Sequence, residues 1–354
     1  MLCEFGRGYI TMNSKNTPHL LVTGGTGFVG HHLVEELKCR RVSFFTFSRK
    51  DYDLTIWDQA RAVFEANRHA TAILHMASWQ AAGEFPAKHP AEQMFRNNLI
   101  HSHVLEAWRR FAPQAKLMAV GTSCAYPSSS CSFSKEETFL EGPVHGSVYA
   151  YAFTKRLLYT GILAYNDQFG LNGTYLIPAT MFGEYDDFHP DTAHVPGALI
   201  GKFVRAVREN LPEVEIWGDG SQLRDFVDVK EFVRVVLSVL DQCDRDVINI
   251  GPGAGISIRQ LAEWICEASG FKGRLFFNTQ RYVGIKEKFI DDTRLREKFG
   301  LKLTTDLRPG IARTVAWYSK NYDQLNGKRK FQSDQFDRSD RSDPITQPAV
   351  AHAR

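Results

Sequence analysis

A tyrosine and a lysine stand four residues apart in the stretch Tyr151-Ala152-Phe153-Thr154-Lys155. In a helix, residues four apart lie on the same face, about one turn from each other. An ammonium group beside a phenol favours the phenolate, so this spacing predicts a lowered pKa for Tyr151. Such a tyrosine can exchange a proton with a carbonyl or alcohol oxygen. Hydride transfer to a ketone requires that exchange.

A second set of reactive side chains lies upstream, in Gly121-Thr122-Ser123-Cys124-Ala125-Tyr126-Pro127. The Thr122 hydroxyl can hold the same substrate oxygen as the tyrosine. The stretch follows an apolar run at 116–120 that predicts a buried strand. Ligands of parallel sheets bind at the carboxyl ends of the strands. Thr122, Tyr151 and Lys155 are therefore predicted to form a ketone reductase centre.

The elements that must position this centre begin with an apolar run at 19–23, which predicts a strand. It leads into Gly24-Gly25-Thr26-Gly27-Phe28-Val29-Gly30, and helical spacing of apolar residues follows in 31–39. Glycines let the backbone approach a pyrophosphate, which the N-terminus of the helix then holds. A plain glycine turn is the alternative interpretation. The predicted dinucleotide contacts are Gly24, Gly27, Phe28, Val29 and Gly30.

The second predicted strand, 42–47, ends in Ser48-Arg49-Lys50. NAD sites usually place an acid here to bind the ribose 2′-hydroxyl, whereas an arginine pairs a 2′-phosphate bidentately. The sequence therefore favours NADP(H), with Arg49 as the first candidate and Lys50 as the second. A solvated basic turn is the alternative. Further candidate cofactor contacts are Asp53, Leu54, Tyr151, Lys155 and Pro178.

The fold class predicted from these elements is α/β. A Rossmann-type doubly wound parallel sheet occupies residues 18–178 and is completed by later segments. A smaller C-terminal α/β domain at 179–325 is predicted mainly to bind substrate. The polar segments 1–17 and 326–354 are predicted to be disordered.

Composition excludes several classes of protein. The net charge is +3, and acidic and basic residues are mixed along the 354 residues. This pattern does not predict the clustered basic surface that binds nucleic acid. No apolar run approaches the roughly 20 residues of a membrane span, and the N-terminal segment lacks the apolar core of a signal peptide. None of the six cysteines forms a Cys-x-x-Cys pair, so no metal site or disulfide framework is expected. A reducing, cytoplasmic setting is the prediction.

Over about residues 19–320 the chain resembles the extended short-chain dehydrogenase/reductase family. Within that family it is most similar to the bifunctional GDP-4-keto-6-deoxymannose 3,5-epimerase–4-reductases. The stretch 121–127 resembles their G-S-S-C-x-Y-P, and Asp186 to Val195 resembles D-N-F-H-P-x-x-S-H-V. Trp217-Gly218 followed by Arg224-Asp225-Phe226 resembles W-G-x-G…R-E-F.

The resemblance implies a role for each matching residue. Thr122, Tyr151 and Lys155 fall on the reductase positions, while Cys124 and His194 fall on the acid/base pair of epimerisation. A 4-keto group acidifies the hydrogens on C3 and C5, and inversion needs a base on one face and an acid on the other. A thiolate and a histidine suit that task. A buried structural cysteine and an ordinary loop histidine are the alternatives.

The resemblance also implies a nucleotide-linked sugar substrate, most simply GDP-linked, and a homodimer formed through helices near 91–111 and 151–167. The substrate contacts that it implies are Lys202, Trp217, Arg224 and Lys288. Two departures leave the sugar open. The segment 178–183 lacks the family's asparagine, and Trp79 to Glu84 lacks its Gly-Gly-Ile. A 4-ketoreductase or an epimerase alone remains an alternative, as does, more remotely, a non-catalytic NADP-binding protein.

Overall fold

The computed structural model describes residues 19–83, 85–128, 133–281 and 286–339. The predicted N-terminal extension, 1–17, lies outside the described residues, and so does the predicted tail beyond residue 339. None of the described helices is both long and apolar enough to cross a membrane.

Strands and helices alternate along the first half of the chain. The described strands are β1 His19–Thr23, β2 Ser43–Thr46, β3 Ala72–His75, β4 Lys116–Val120, β5 Phe133–Ser134, β6 Gly173–Pro178, β7 Thr180–Phe182, β8 Glu213–Trp217, β9 Leu223–Arg224, β10 Phe226–Asp228, β11 Val247–Ile250, β12 Ile256–Ser257, β13 Arg274–Asn278 and β14 Glu287–Ile290. The α-helices are α1 Phe28–Cys39, α2 Trp57–Ala66, α3 Phe85–Lys88, α4 Pro90–Phe111, α5 Tyr149–Phe169, α6 Val195–Arg208, α7 Val229–Val239, α8 Ile258–Ser269, α9 Thr293–Phe299 and α10 Arg308–Ser339.

Six of these strands form one parallel sheet in the order β2-β1-β3-β4-β6-β11. The inner strands β3 and β6 are buried along their whole length, because helices cover both faces of the sheet. The order reverses between β1 and β3, where such sheets bind their ligands. The predicted Rossmann-type α/β class is confirmed.

A second hydrophobic core lies around α6, α8 and the first half of α10. Its fully buried side chains include Phe203, Ile216, Leu261 and Ile311. Between the segments that build it, α7 and β11 return to the first core. The two cores are therefore interleaved in sequence after about residue 178.

The structure adds elements that the sequence did not predict. The glycine, prolines and aspartates of the segment 178–194 predict a loop, but β7 within it pairs with β10 in parallel. The sequence predicts one strand at 224–229. In the structure this segment is divided at Asp225, so that β9 pairs with β12 and β14 while β10 pairs with β7. The last helix, α10, runs through residues 326–339, where a disordered tail was predicted.

Ion pairs fasten the segment that follows β7. The carboxylate of Glu184, only 6% exposed, accepts from Lys230 of α7 at 2.7 Å and from Arg313 of α10 at 2.9 Å. Arg313 also donates to Asp228 at 2.6 Å. Because a buried charge must be paired to be tolerated, these contacts hold the chain leading to His194 against both cores.

Candidate active site

The glycine loop between β1 and α1 packs against the end of β3. Gly24 has φ +73°, and a Cβ there would lie 2.6 Å from the backbone nitrogen of Ala77. A Cβ at Gly30 would lie 2.1 Å from the carbonyl oxygen of Gly24. Only glycine fits these two positions without movement of the backbone. The residues predicted from the glycine motif therefore form a closely packed turn.

The N-terminus of α1 opens beyond this turn. Phe28 and Val29 are the first residues of this helix. Its N-cap residue is Gly27, so no side chain of the N-cap pairs with the amides of the first turn. The described residues of that turn include no acidic side chain. The unpaired amides of such a helix end attract an anion. Together with the glycine turn, this helix end fits the pyrophosphate of a dinucleotide.

The predicted 2′-phosphate residues follow β2. Arg49 Nε donates to Asp53 Oδ2 at 2.9 Å, and the Arg49 side chain is 61% exposed. Asp53 is held in turn by the backbone nitrogen and hydroxyl of Thr55, while Leu54 is buried. Since a guanidinium has five N–H donors, this ion pair leaves Arg49 able to bind a phosphate. Lys50 is also exposed.

Tyr151 and Lys155 occupy the first two turns of α5, as their spacing predicted. The Lys155 amine is buried and donates to the carbonyl oxygen of Val120, the last residue of β4, at 2.9 Å. Its Nζ lies 5.7 Å from the centre of the Tyr151 ring. The pair therefore stands at the carboxyl edge of the sheet.

Burial reverses the pKa expected for the tyrosine. It raises the pKa of Tyr151 above its ordinary value and lowers the pKa of Lys155 to about 7. The expectation that Lys155 lowers the pKa of Tyr151 is wrong, because desolvation disfavours phenolate and ammonium alike. At neutral pH Tyr151 is a phenol, which is the form that donates a proton.

Thr122 and Cys124 lie in a 3₁₀ turn directly after β4. The backbone nitrogen of Cys124 donates to Thr122 Oγ1 at 3.2 Å, and both side chains are partly exposed. Tyr126, by contrast, is buried and donates to Asn249 Oδ1 at 2.7 Å. Tyr126 therefore has a structural role, and Thr122 and Cys124 are the accessible groups of this turn.

A pair of short strands connects Cys124 with His194. Cys124 lies within electrostatic range of both Tyr151 and Arg224, so these three side chains are neighbours. Arg224, in β9, is opposite Lys288 of β14. Lys288 in turn acts on His194, so the chain of neighbours continues across the strand pair.

His194 directly precedes α6. Burial lowers its pKa, with a contribution in the same direction from Lys288 and an opposing one from Asp187. Asp187 accepts from the hydroxyl of Thr192 at 2.5 Å. Since a histidine with a lowered pKa is neutral at physiological pH, His194 can accept a proton or shuttle one.

The loop that departs from the family pattern packs against the segment before His194. Ala82 donates from its backbone nitrogen to the carbonyl oxygen of Thr192 at 2.7 Å. Gly83 has φ +59°, and a Cβ there would lie 2.0 Å from the carbonyl oxygen of Asp191. The altered residues at 79–83 therefore lie beside the candidate epimerisation histidine.

Trp217 lies at the end of β8 between two cations. Lys202 Nζ is 5.4 Å from its ring centre and the Arg281 guanidinium is 5.3 Å away. Lys202 also donates to the backbone oxygen of Glu215 at 3.0 Å, and Arg281 pairs with the Glu215 carboxylate. The ring is 44% exposed. An exposed aromatic ring flanked by cations can stack on a base beside a phosphate.

Three side chains at the site were not predicted. Ser78 is a neighbour of Tyr151, Arg281 flanks Trp217, and Asp225 lies buried beside Arg224. Burial raises the pKa of Asp225 to about 6. Asp225 belongs to the Arg224-Asp225-Phe226 motif, and Ser78 follows the end of a strand. Their positions in the sequence could therefore have identified both as candidate site residues. No sequence pattern marks Arg281.

A family model described as the NAD dependent epimerase/dehydratase family matches residues 20–251. The chain belongs to this family. A GDP-L-fucose synthase from Drosophila melanogaster, described as probable, is 31% identical, over 86% of this chain and 98% of that one. A probable GDP-L-fucose synthase 1 from Oryza sativa is 30% identical, over 89% of this chain and 98% of that one.

A solved structure agrees with these similarities. The GDP-L-fucose synthetase from Naegleria fowleri bound to NADP superimposes with a TM-score of 0.79 at 26% identity. The alignment covers 89% of this chain and 97% of that one. The resemblance to the extended short-chain dehydrogenase/reductase family is thereby confirmed.

The buried amine of Lys155 predicts a pH dependence of stability. Its pKa is about 7 in the folded protein, whereas an exposed lysine has a pKa of about 10.4. Between these values the unfolded chain binds more protons, so stability rises with pH, by at most about 1.4 kcal/mol per pH unit. Lys155→Met should remove this contribution, as measured by urea unfolding between about pH 7.5 and pH 9.5. Lys272→Met, at an exposed lysine, should keep the wild-type slope. An equal slope in Lys155→Met and wild type would contradict the assignment.

Proposed function

We propose that this protein is an NADPH-dependent 3,5-epimerase–4-reductase acting on a GDP-linked 4-keto-6-deoxyhexose in nucleotide-sugar biosynthesis. One observation carries the proposal. Cys124 is a neighbour of both the Tyr151 phenol and Arg224, and the facing strand brings Lys288 to His194. This adjacency supports one site that holds both the reductase and the epimerase groups.

The reductase half uses groups at the carboxyl edge of the sheet. NADPH, when bound, supplies a hydride for C4 of the sugar. The α1 N-terminus and the glycine turn bind its pyrophosphate, Arg49 and Lys50 bind its 2′-phosphate, and Asp53, Leu54 and Pro178 contact it nearby. Thr122 holds the C4 oxygen, and Tyr151 donates the proton that this oxygen needs. Lys155 orients the tyrosine and binds the nicotinamide ribose.

The epimerase half acts before reduction, while C4 is still a ketone. Cys124 removes a proton from C3 or C5, and the enolate charge develops on the C4 oxygen beside Thr122 and Tyr151. His194 returns a proton on the opposite face of the ring. Burial lowers the pKa of His194, so the residue must take up a proton before it returns one to the ring, and its imidazolium is then a stronger acid than an exposed one.

The nucleotide end of the substrate requires cations and a stacking surface. Trp217, between Lys202 and Arg281, receives the guanine, and Arg224 with Lys288 binds the diphosphate. Arginine pairs phosphate oxygens bidentately, and Arg224 belongs to the motif shared with the GDP-sugar enzymes. The similarity to GDP-L-fucose synthases supports GDP as the nucleotide.

Two substitutions separate the two reactions. Tyr151→Phe should lower NADPH consumption by about 10²–10⁴-fold, the usual contribution of a general acid. Solvent deuterium should still enter C3 and C5, as read by NMR. Cys124→Ser should show the reverse deficit: slow exchange at those carbons, with reduction of the unepimerised ketone still measurable. Unchanged reduction in Tyr151→Phe would contradict the assignment of the proton donor.

The same pair of variants tests the alternatives. If Cys124→Ser gives a product with the wild-type stereochemistry, the enzyme is a 4-ketoreductase without epimerase activity. If exchange occurs but NADPH is never consumed, it is an epimerase only. NADPH binding without turnover on any 4-keto sugar nucleotide would favour a non-catalytic NADP-binding protein.

We also propose that the protein is a cytoplasmic homodimer formed through α4 and α5. Cys39, Cys124, Cys243 and Cys266 are free thiols, which supports a reducing compartment. The two helices pack side by side, and their outward faces expose large apolar side chains. Those on α5 stand four residues apart, in one stripe: Tyr149, Phe153 and Leu157, with Met94 and Phe95 on α4. Such a face fits a second copy of itself about a two-fold axis.

A charge placed in this stripe should separate the subunits. Phe153 is 48% exposed, so Phe153→Glu should leave the monomer folded while burying an unpaired carboxylate in the dimer. Light scattering after gel filtration should then report the monomer mass. Phe276→Glu, at a phenylalanine that is 37% exposed on β13, should remain dimeric. A wild-type monomer, or a dimeric Phe153→Glu, would contradict this interface.

A further inference from the structure

Arg156 is a buried cation beside the site to which the proposed mechanism gives no role. It directly follows Lys155 on α5 and is 7% exposed. Its Nε donates to the carbonyl oxygen of Ala125 at 2.9 Å, and its two terminal nitrogens donate to those of Gly142 and Glu141, both at 2.8 Å. Within the described part of the chain no carboxylate pairs with it. The guanidinium therefore binds backbone carbonyls rather than an acidic side chain.

The consecutive residues Lys155 and Arg156 hold opposite ends of the turn that follows β4. Lys155 donates to the carbonyl oxygen of Val120, before the turn, at 2.9 Å. Arg156 donates to that of Ala125, at the end of the turn, also at 2.9 Å. The residues between them, 121–124, carry both the proposed substrate-holding hydroxyl and the proposed thiol base. Two adjacent cations of one helix thus fix the segment at both ends.

The beginning of the turn has a second support from the sheet. The backbone nitrogen of Gly121 donates to the carbonyl oxygen of Leu176 in β6 at 2.7 Å, one residue before Thr122. This bond continues the pairing of β4 with β6, so it does not involve Arg156. We therefore expect the Thr122 hydroxyl to keep its place when the guanidinium is removed.

The end of the turn at Cys124 has weaker support of its own. The backbone nitrogens of Cys124 and Ala125 both donate to Thr122 at 3.2 Å, which is the long end of the usual range. Tyr126 is anchored through its side-chain hydroxyl and not through its backbone. Among the hydrogen bonds described for the backbone at 123–126, that of Arg156 to Ala125 is the shortest.

The other two bonds of Arg156 join this turn to the segment 141–142. Directly after that segment, Val144 forms an antiparallel bridge with Pro127. The segment therefore lies beside the chain that leaves the turn. Loss of the guanidinium would free the end of the turn and this neighbouring segment from each other.

We propose that Arg156 is a positioning residue of the epimerisation, which holds the turn so that the Cys124 sulfur reaches the hydrogen on C3 or C5. The inference rests on the proposed epimerase function and deepens it. In that step the C–H bond breaks and an S–H bond forms on Cys124, while the electron pair moves to the C4 oxygen as an enolate. His194, once protonated, gives its N–H proton to the same carbon on the opposite face. Arg156 takes part in neither transfer.

The test measures the two half-reactions separately in Arg156→Met, which keeps an unbranched apolar stem but removes the donors. Since a misplacement of about 1 Å can cost about 10²-fold in rate, exchange of solvent deuterium at C3 and C5 without NADPH should fall by about 10²-fold, as read by NMR. The reverse reaction, oxidation of the wild-type product at C4 by NADP⁺, needs no epimerisation. Its kcat and KM, read from the absorbance of NADPH, should be unchanged.

Three comparisons separate positioning from folding. Arg245→Met, at an arginine that also donates to a backbone carbonyl but lies outside the site, should keep both rates. In Arg156→Ala, added ethylguanidinium should restore part of the exchange, because its planar group can donate to the same carbonyls. Ethylammonium at the same concentration should not restore it, because it lacks that planar fork. The Kd for NADPH, measured from its fluorescence, should be unchanged in every variant.

The contrary results overturn the proposal in different ways. Wild-type exchange in Arg156→Met would mean that the turn needs no guanidinium. An equal fall in exchange and oxidation, or loss of NADPH binding, would mean that Arg156 supports the whole site. Exchange in Arg156→Ala that ethylguanidinium does not restore would mean that the loss is not one of position. Wild-type protein that exchanges no deuterium at C3 or C5 overturns the proposed epimerase function itself.

Discussion

The reductase half of this site depends on the burial of the Lys155 amine against the carbonyl oxygen of Val120. That single hydrogen bond joins the catalytic face of α5 to the last residue of β4, so Tyr151 stands over the turn that carries Thr122. The hydroxyl of Tyr175, in the neighbouring strand β6, donates to the backbone oxygen of Lys155 at 2.9 Å. Gly121 must lack a side chain because a Cβ there would lie 2.4 Å from the Tyr175 ring. Three elements thus meet at one point, and desolvation there sets the protonation states of both residues.

The epimerase half depends on a different constraint, the register of the short strands β9 and β14. That register brings Arg224 opposite Lys288 and so connects the surroundings of Cys124 with those of His194. The segment between β7 and His194 is held through the buried carboxylate of Glu184. A site built in this way needs both cores at once, since neither core carries both members of the proposed acid/base pair.

Much of the fold could be predicted because its signals are local. The bounds predicted for β1 and β4 are those of the structure, since short apolar runs bounded by glycine or polar residues mark buried parallel strands. The strand β11 was not predicted, because its four residues become recognisable only beside β6. The division of the predicted strand at Asp225 was missed for the same reason, since its carboxylate accepts from the backbone nitrogen of Ile290, which is distant in sequence.

The candidate site shows the same limit. Residue types and spacing correctly identified Tyr151, Lys155 and the glycine turn as candidates. The direction of the pKa shift of Tyr151, however, depends on burial, which cannot be read from the spacing of residues. The hydrogen bond that Ser78 donates likewise has its acceptor, Asn97, nineteen residues further along the chain. The most direct measurement is the NMR structure of the product formed by wild-type protein with NADPH and a panel of GDP-, dTDP- and CDP-linked 4-keto-6-deoxyhexoses. We predict a GDP-linked sugar reduced at C4 and inverted at C3 and C5, with NADPH consumed in equimolar amount. A reduced product that keeps its configuration at both C3 and C5 would contradict the shared epimerase–reductase site.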